Sequence, residues 1–160
     1  MKSKEDILSI LENVTDPEVP VLSIIDLGIV RDIVVKNEEE IEIVITPTYS
    51  GCPAMSMIAT NIRMELLSEG YKQVTITEAL SPAWTTDWMT VAGKQKLKEY
   101  GITPPQYAVS ENLHETDAVV PCPICNSTDT FLLSQFGSTA CKALYKCNTC
   151  LEPFDYFKCH

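Results

Sequence analysis

Histidine is scarce in this chain, glycine is sparse and long hydrophobic runs are missing, and each shortage removes a class of function. Of the two histidines, His114 falls in a stretch of weak periodicity and His160 is the last residue. A nucleophile therefore finds no convincing base with its own orienting partner, and covalent catalysis is poorly supported. The six glycines build neither a phosphate-cradling loop nor a dinucleotide fingerprint. The paired Glu-x-x-His motifs of a di-iron oxygenase are also missing. No apolar run is long enough to cross a bilayer, and the opening MKSKEDILSI has acidic residues where a signal peptide would be basic and then apolar, so a cytoplasmic location and no membrane partner are expected. Residues 1–119 carry 9 Lys/Arg against 19 Asp/Glu and residues 120–160 carry 3 of each, so neither part has the cationic excess that nucleic-acid phosphates require. The resulting net charge of −10 suits solubility, or docking on a basic protein.

Cysteine is what the chain does have, with seven in 160 residues. In a reducing compartment an odd number of cysteines points to metal ligands or reactive thiols rather than to a disulfide framework. Cys122-Pro-Ile-Cys125 and Cys147-Asn-Thr-Cys150 are two knuckles separated by 21 residues, the spacing at which four thiolates close around one tetrahedral ion. An all-thiolate site with no open position is structural, and zinc is the expected metal. Iron in a rubredoxin-like electron carrier is the rival, but neither knuckle is followed by glycine. Cys141, Cys159 and His160 remain as candidate ligands of a second site, with a buried apolar role as the ordinary explanation of Cys141.

The remaining pattern predicts an α+β fold. Ile7, Leu8, Leu11 and Val14 share one face of a helix over 4–14 that starts at Ser3. Thr15-Asp-Pro-Glu-Val-Pro20 must be an ordered loop, because each proline pushes its predecessor towards extended backbone. Ile29–Val35 and the alternating Ile41, Ile43 and Ile45 form a hairpin around the turn Asn37–Glu40. A second helix follows Cys52-Pro53 and ends at Gly70, Val74–Ile76 is a third strand, and a last helix runs from about Asp87 to Tyr100 behind a Thr86 cap. The expected architecture is a small three-stranded sheet with helices packed on one face, occupying residues 1–102, then a linker at 103–119 and a ribbon module at 120–160. Cys52 is expected at the N-cap of the second helix, where unpaired amides favour a thiolate. Asp16, Glu18 and Asp26 have two readings, as turn or cap residues and as ligands of a hard metal.

Four separated motifs carry a resemblance. Asp16-Pro-Glu-Val-Pro20, Asp26-Leu-Gly-Ile-Val30, Thr46 through Gly51-Cys52-Pro53, and Pro82-Ala-Trp-Thr-Thr-Asp-Trp-Met89 together resemble the MIP18-type domain, also called domain of unknown function 59, of iron–sulfur protein assembly. Thr46–Met55, Phe136-Gly-Ser-Thr-Ala-Cys-Lys-Ala-Leu144 and Glu152-Pro-Phe-Asp-Tyr-Phe-Lys-Cys-His160 further resemble the PaaD-type family of the bacterial phenylacetyl-CoA 1,2-epoxidase system. The resemblance implies an accessory protein of phenylacetate catabolism rather than an enzyme. Its implied partners are the reductase and oxygenase subunits of that system and general iron–sulfur assembly proteins, and its implied cargo is a transient iron–sulfur cluster or iron. The family's reactive cysteine falls on Cys52 and its motif loop on Asp16, Pro17 and Glu18. A non-catalytic structural subunit of the oxygenase complex is the alternative.

Overall fold

The computed structural model describes residues 1–49, 51–106 and 119–158. It divides into two compact units, Met1–Trp84 with Trp88–Thr90 and Thr85–Asp87 with Val91–His160.

The first unit is the expected α+β sheet-and-helix layer. Helix α1 (Lys4–Leu11) opens on a reciprocal capping box in which the Ser3 hydroxyl accepts the Asp6 N–H and the Asp6 carboxylate accepts the Ser3 N–H. The Ser3 N–H first, and then the Ser3 hydroxyl, which donates to the same carboxylate at 2.8 Å, hold the Asp6 carboxyl below its ordinary range. Strands β1 (Val30–Val35) and β2 (Glu40–Ile45) form the antiparallel hairpin, with Ile33 paired to Ile43 and Val35 to Ile41. Alternation buries Ile41, Ile43 and Ile45 entirely, and helix α3 (Ala54–Ser68), which packs on α1, buries Met55, Ile58, Ile62 and Leu66. Strand β3 (Gln73–Glu78) returns parallel to β2, giving the order β1-β2-β3.

A four-residue helix, α2 (Ile24–Leu27), is an addition to the elements that periodicity predicts. Its signals are local: Ser23 and Asp26 form a second capping box, and Gly28 ends the helix at φ +71°. Asp26 is thereby explained without a hard metal. Its carboxylate takes the Ser23 N–H and the Thr90 hydroxyl, and its carbonyl takes the Thr90 N–H. The last point also corrects the expected helix over Asp87–Tyr100. Its first residues form a single 3-10 turn at Thr86–Trp88, Thr86 is buried rather than capping, and the helix, α4, runs only over Val91–Glu99. With the Thr90 amide bonded to Asp26, that amide cannot join a continuous helical ladder.

The second unit holds α4 and a four-stranded sheet in the order β4-β7-β6-β5. Strands β5 (Thr130–Ser134), β6 (Lys142–Cys147) and β7 (Pro153–Phe157) form an antiparallel ribbon. The two-residue strand β4 (Ile102–Thr103) adds to β7 in parallel, so the chain around residue 102, placed by the sequence at the edge of a linker, is part of this sheet. Thr103 is further fixed by its hydroxyl, which donates to the Pro121 carbonyl at 2.7 Å. A small core forms from Val120, Cys122, Ala143, Cys147, Phe154 and Tyr156.

Candidate functional site

Two features have chemical capacity, one in each unit. In the second, one knuckle precedes β5 and the other follows β6, and the antiparallel β5–β6 pairing brings them together by setting Thr130 against Cys147. The sulfurs of Cys122, Cys125, Cys147 and Cys150 all lie within 4.8 Å of one another. Cys122 Sγ is 3.7 Å from Cys150 Sγ, and Cys125 Sγ is 3.5 Å from Cys147 Sγ. A tetrahedron with metal–sulfur bonds of about 2.3 Å has edges of about 3.8 Å, so the four atoms stand where a metal would need them. The cysteines are free thiols, and the short approaches run between knuckles rather than within them.

Electrostatics favour a cation here. Cys147 is drawn down to about 6, chiefly by the Cys150 amide, whose nitrogen lies 3.5 Å from its sulfur. Cys150 goes the other way, to about 12: the Glu152 amide favours its thiolate, but burial and the sulfurs of Cys122, Cys147 and Cys125 outweigh that amide. Four crowded sulfurs cannot all ionise beside one another without a positive charge between them. A divalent metal supplies it and makes all four ligands.

The residue after each knuckle lies in the left-handed region, Asn126 at φ +61° and Leu151 at φ +68°. Asparagine tolerates this conformation, whereas leucine is strained in it by roughly 1–2 kcal/mol. Leu151 is also 66% exposed, so it gains little from burial. Leu151→Gly is expected to stabilise the metal-loaded ribbon by about 1 kcal/mol in denaturant titration. An unchanged or lower midpoint would show that the leucine compensates its strain elsewhere.

In the first unit Cys52 is the sole cysteine, half-buried at the entrance to α3. It is not the N-cap. That position is Pro53, in right-handed helical backbone with no side-chain cap, because proline pre-sets φ and carries no N–H to satisfy. Cys52 stands one residue earlier, its N–H donating to the Tyr49 carbonyl at 3.2 Å and its carbonyl accepting the Met55 N–H at 3.2 Å. Gly51, at φ +77°, makes the turn that precedes it. Tyr49 also lines a largely apolar cleft of about 170 Å³ with Thr46, Pro47, Leu80 and Trp84, a feature that sequence periodicity does not mark.

Asp16 has a turn role in the motif loop: its Oδ1 accepts the N–H groups of Glu18 at 2.7 Å and Val19 at 3.1 Å. Among the described residues the four ribbon cysteines are the only cluster of three or more potential ligands, so Cys52 does not join Asp16 and Glu18 in one. Cys141 is buried, with its sulfur 3.0 Å from the Thr139 hydroxyl, and it is likewise outside any such cluster. Cys159 and His160, the other candidates for a second site, lie outside the described residues.

Comparison with known proteins matches two families along the chain. The family described as iron-sulfur cluster assembly protein matches residues 4–77, and the PaaD zinc beta ribbon domain matches residues 106–158. The chain is 48% identical over 158 residues to an Escherichia coli protein named as the D-type subunit of a "Putative 1,2-phenylacetyl-CoA epoxidase", covering 96% of this chain and 92% of the relative. It is 34% identical over 91 residues to a Porphyromonas gingivalis protein named "Fe-S protein maturation auxiliary factor", covering 56% of this chain and 86% of that one. Among solved structures, a Bacillus anthracis domain of unknown function 59 superposes with a TM-score of 0.54 at 25% identity, covering 58% of this chain and 89% of the other. A conserved hypothetical protein from Thermotoga maritima superposes at 0.51 with 30% identity, covering 60% and 94%. Among the described residues no helix is long and apolar enough to cross a membrane.

Proposed function

Since the chain belongs to the family of the Escherichia coli epoxidase-system protein and itself matches an iron–sulfur cluster assembly family and a zinc beta ribbon in turn, we propose that it is an accessory maturation factor and not itself an enzyme. Its client is the iron–sulfur reductase component of a phenylacetyl-CoA epoxidase system, and the protein works in the cytoplasm. The observation that carries this reading is the isolation of Cys52. It is the one thiol of the assembly domain, partly open to solvent, and separate from the four that form the ribbon site. A sulfur so placed can act as a transient ligand to a cluster in transit: it donates to an iron atom and yields that position to a client thiolate, with no change of oxidation state. The ribbon metal is zinc, held by Cys122, Cys125, Cys147 and Cys150, and its part is to hold the fold of the second unit.

The test is anaerobic transfer of a reconstituted cluster to apo-reductase, comparing the wild type with Cys52→Ser. The variant is expected to lose most of the transfer, at least ~10-fold in rate, because serine is a poor soft-metal ligand. Equal transfer by both proteins would remove Cys52 from the mechanism.

The Escherichia coli relative is named as a subunit, and that name supports a second reading as a stoichiometric structural component. Co-purification with the oxygenase at fixed ratio, with Cys52→Ser fully active, would favour it. A colourless purified protein containing zinc would dispose of the rubredoxin-like carrier.

A further inference from the structure

Among the described residues four strands form sheet edges: β1, β3, β4 and β5. An edge strand offers unpaired N–H and C=O groups, and proteins guard such strands with charge, proline or shortness. β1 carries Arg31 and Asp32, β3 ends in Glu78, and β4 is two residues long. β5, Thr130-Phe-Leu-Leu-Ser134, has neither charge nor proline over five residues. Phe131, Leu132 and Leu133 are 42%, 45% and 48% exposed, and Phe136 just beyond them is 66% exposed. A bulge between Leu132 and Ser134 twists the strand but leaves its apolar side chains in solvent.

The charges at the two ends of β5 say what covers it. Asp129 precedes the strand and is exposed, its Oδ1 accepting the Asn148 side-chain amide at 2.8 Å while the carboxylate keeps its charge. At the other end the Lys158 ammonium donates to the Gln135 carbonyl at 2.9 Å and lies 4.6 Å from the centre of the Phe136 ring. An antiparallel copy centred on Leu132 sets Phe131 against the other copy's Leu133, Thr130 against its Ser134 and Asp129 against its Gln135, where Lys158 stands. Acid thus meets base at both ends of one self-complementary seam. The charge balance supports the same occupant. A chain of net charge −10 repels its own copy over most of its surface, but residues 120–160 are balanced, with 3 basic and 3 acidic residues.

We propose that β5 is the seam of a homodimer, formed by antiparallel pairing of Thr130–Ser134 with the same strand of a second copy to make one continuous eight-stranded sheet. This holds whether or not Cys52 handles a cluster. Sedimentation of the full metal-loaded chain is expected to give a dimer. Leu132→Lys places two ammonium groups opposite each other at the twofold axis and is expected to weaken the dimer at least ~10-fold while the metal content is kept. Asp129→Lys is expected to weaken it as well, and Asp129→Lys with Lys158→Asp to restore it, a rescue that a merely structural role would not give. Independently of any variant, the Phe131–Leu133 amides of the wild type should become protected from hydrogen exchange as protein concentration rises. A monomeric wild type at ~100 μM, exchange that ignores concentration, or a metal-loaded Leu132→Lys protein that still dimerises would each overturn the proposal.

Discussion

Cys147→Ser is expected to lose the bound metal completely and to unfold the ribbon while leaving the three-stranded sheet of the first unit folded. Two of the six residues of the ribbon core, Cys122 and Cys147, are among the four cysteines that could hold the ion, so the packing that remains is Val120, Ala143, Phe154 and Tyr156, with Tyr145 half-buried against them. That is too little apolar surface to hold a sheet against chain entropy. Structural zinc supplies an apparent ~10–16 kcal/mol in zinc-finger peptides, and on the proposed reading the ribbon depends on its metal in the same way. Elemental analysis should fall from one metal per chain to none. The near-ultraviolet dichroism of Tyr145 and Tyr156, whose rings meet edge to face at 5.7 Å, should disappear with the metal. A strong chelator should have the same effect on the wild type. A Cys147→Ser protein that kept its metal and this signal would refute the four-sulfur site.

The sulfurs also fix how metal binding responds to acid. Cys147 is lowered from 9.0 to about 6, so its ionised form favours the folded ribbon in full above pH 9, and that contribution is lost as pH falls through 6. Metal binding at pH 7 should release close to four protons, because the metal-free ribbon is unfolded and the amide that favours the Cys147 thiolate is in place only in the folded state. Calorimetry in buffers of different ionisation enthalpy measures that number.

Gly28→Ala carries the largest expected cost in the first unit. Gly28 sits at φ +71°, and an added Cβ would overlap the Trp88 carbonyl, lying 2.8 Å from its carbon and 2.9 Å from the Trp88 Cβ. Left-handed backbone costs a non-glycine residue about 1–2 kcal/mol and overpacking a further 1–3. The sum, about 3 kcal/mol, corresponds to a fall of roughly 15 °C in Tm for a domain of this size. Tryptophan fluorescence should report it, since Trp84 donates its indole N–H to the Leu27 carbonyl at 2.8 Å and Trp88 stacks under the Arg31 guanidinium. Gly70→Ala is the control. Its φ is +102° but nothing lies within 4 Å of the new Cβ, so it should show the backbone cost alone. Equal losses in the two variants would mean that Trp88 moves aside freely.

The parts of this fold that repeat regularly are legible in the sequence. Alternating isoleucines mark β2, three- and four-residue steps mark α3, and paired knuckles mark the four-sulfur cluster. The rest is decided by distant partners or by shortness. The break before α4 depends on Asp26, 64 residues from Thr90, and no window along the chain contains both. β4 has two residues, below any periodicity, and exists because β7 offers it a free edge. α2 does have a legible signal, Ser23 with Asp26 and then Gly28, but a carboxylate in a loop suits a ligand as well as a cap until its partners are known. Cys52 falls one residue short of the N-cap because Pro53, not the cysteine, takes the boundary backbone.

The pairing of β4 with β7 also bears on the order of folding. Ile102 meets Asp155 across 53 positions of sequence, a long loop to close for a strand of two residues. Once Cys122 and Cys150 share an ion, the covalent path between the paired strands is shortened to about half, which lowers the closure entropy by about 0.6 kcal/mol. The knuckles should therefore close first and β4 add last. In metal-starved cells the ribbon is lost as a whole, β7 with it, and β4 is left with no edge to join, its backbone groups open to proteases and to other chains.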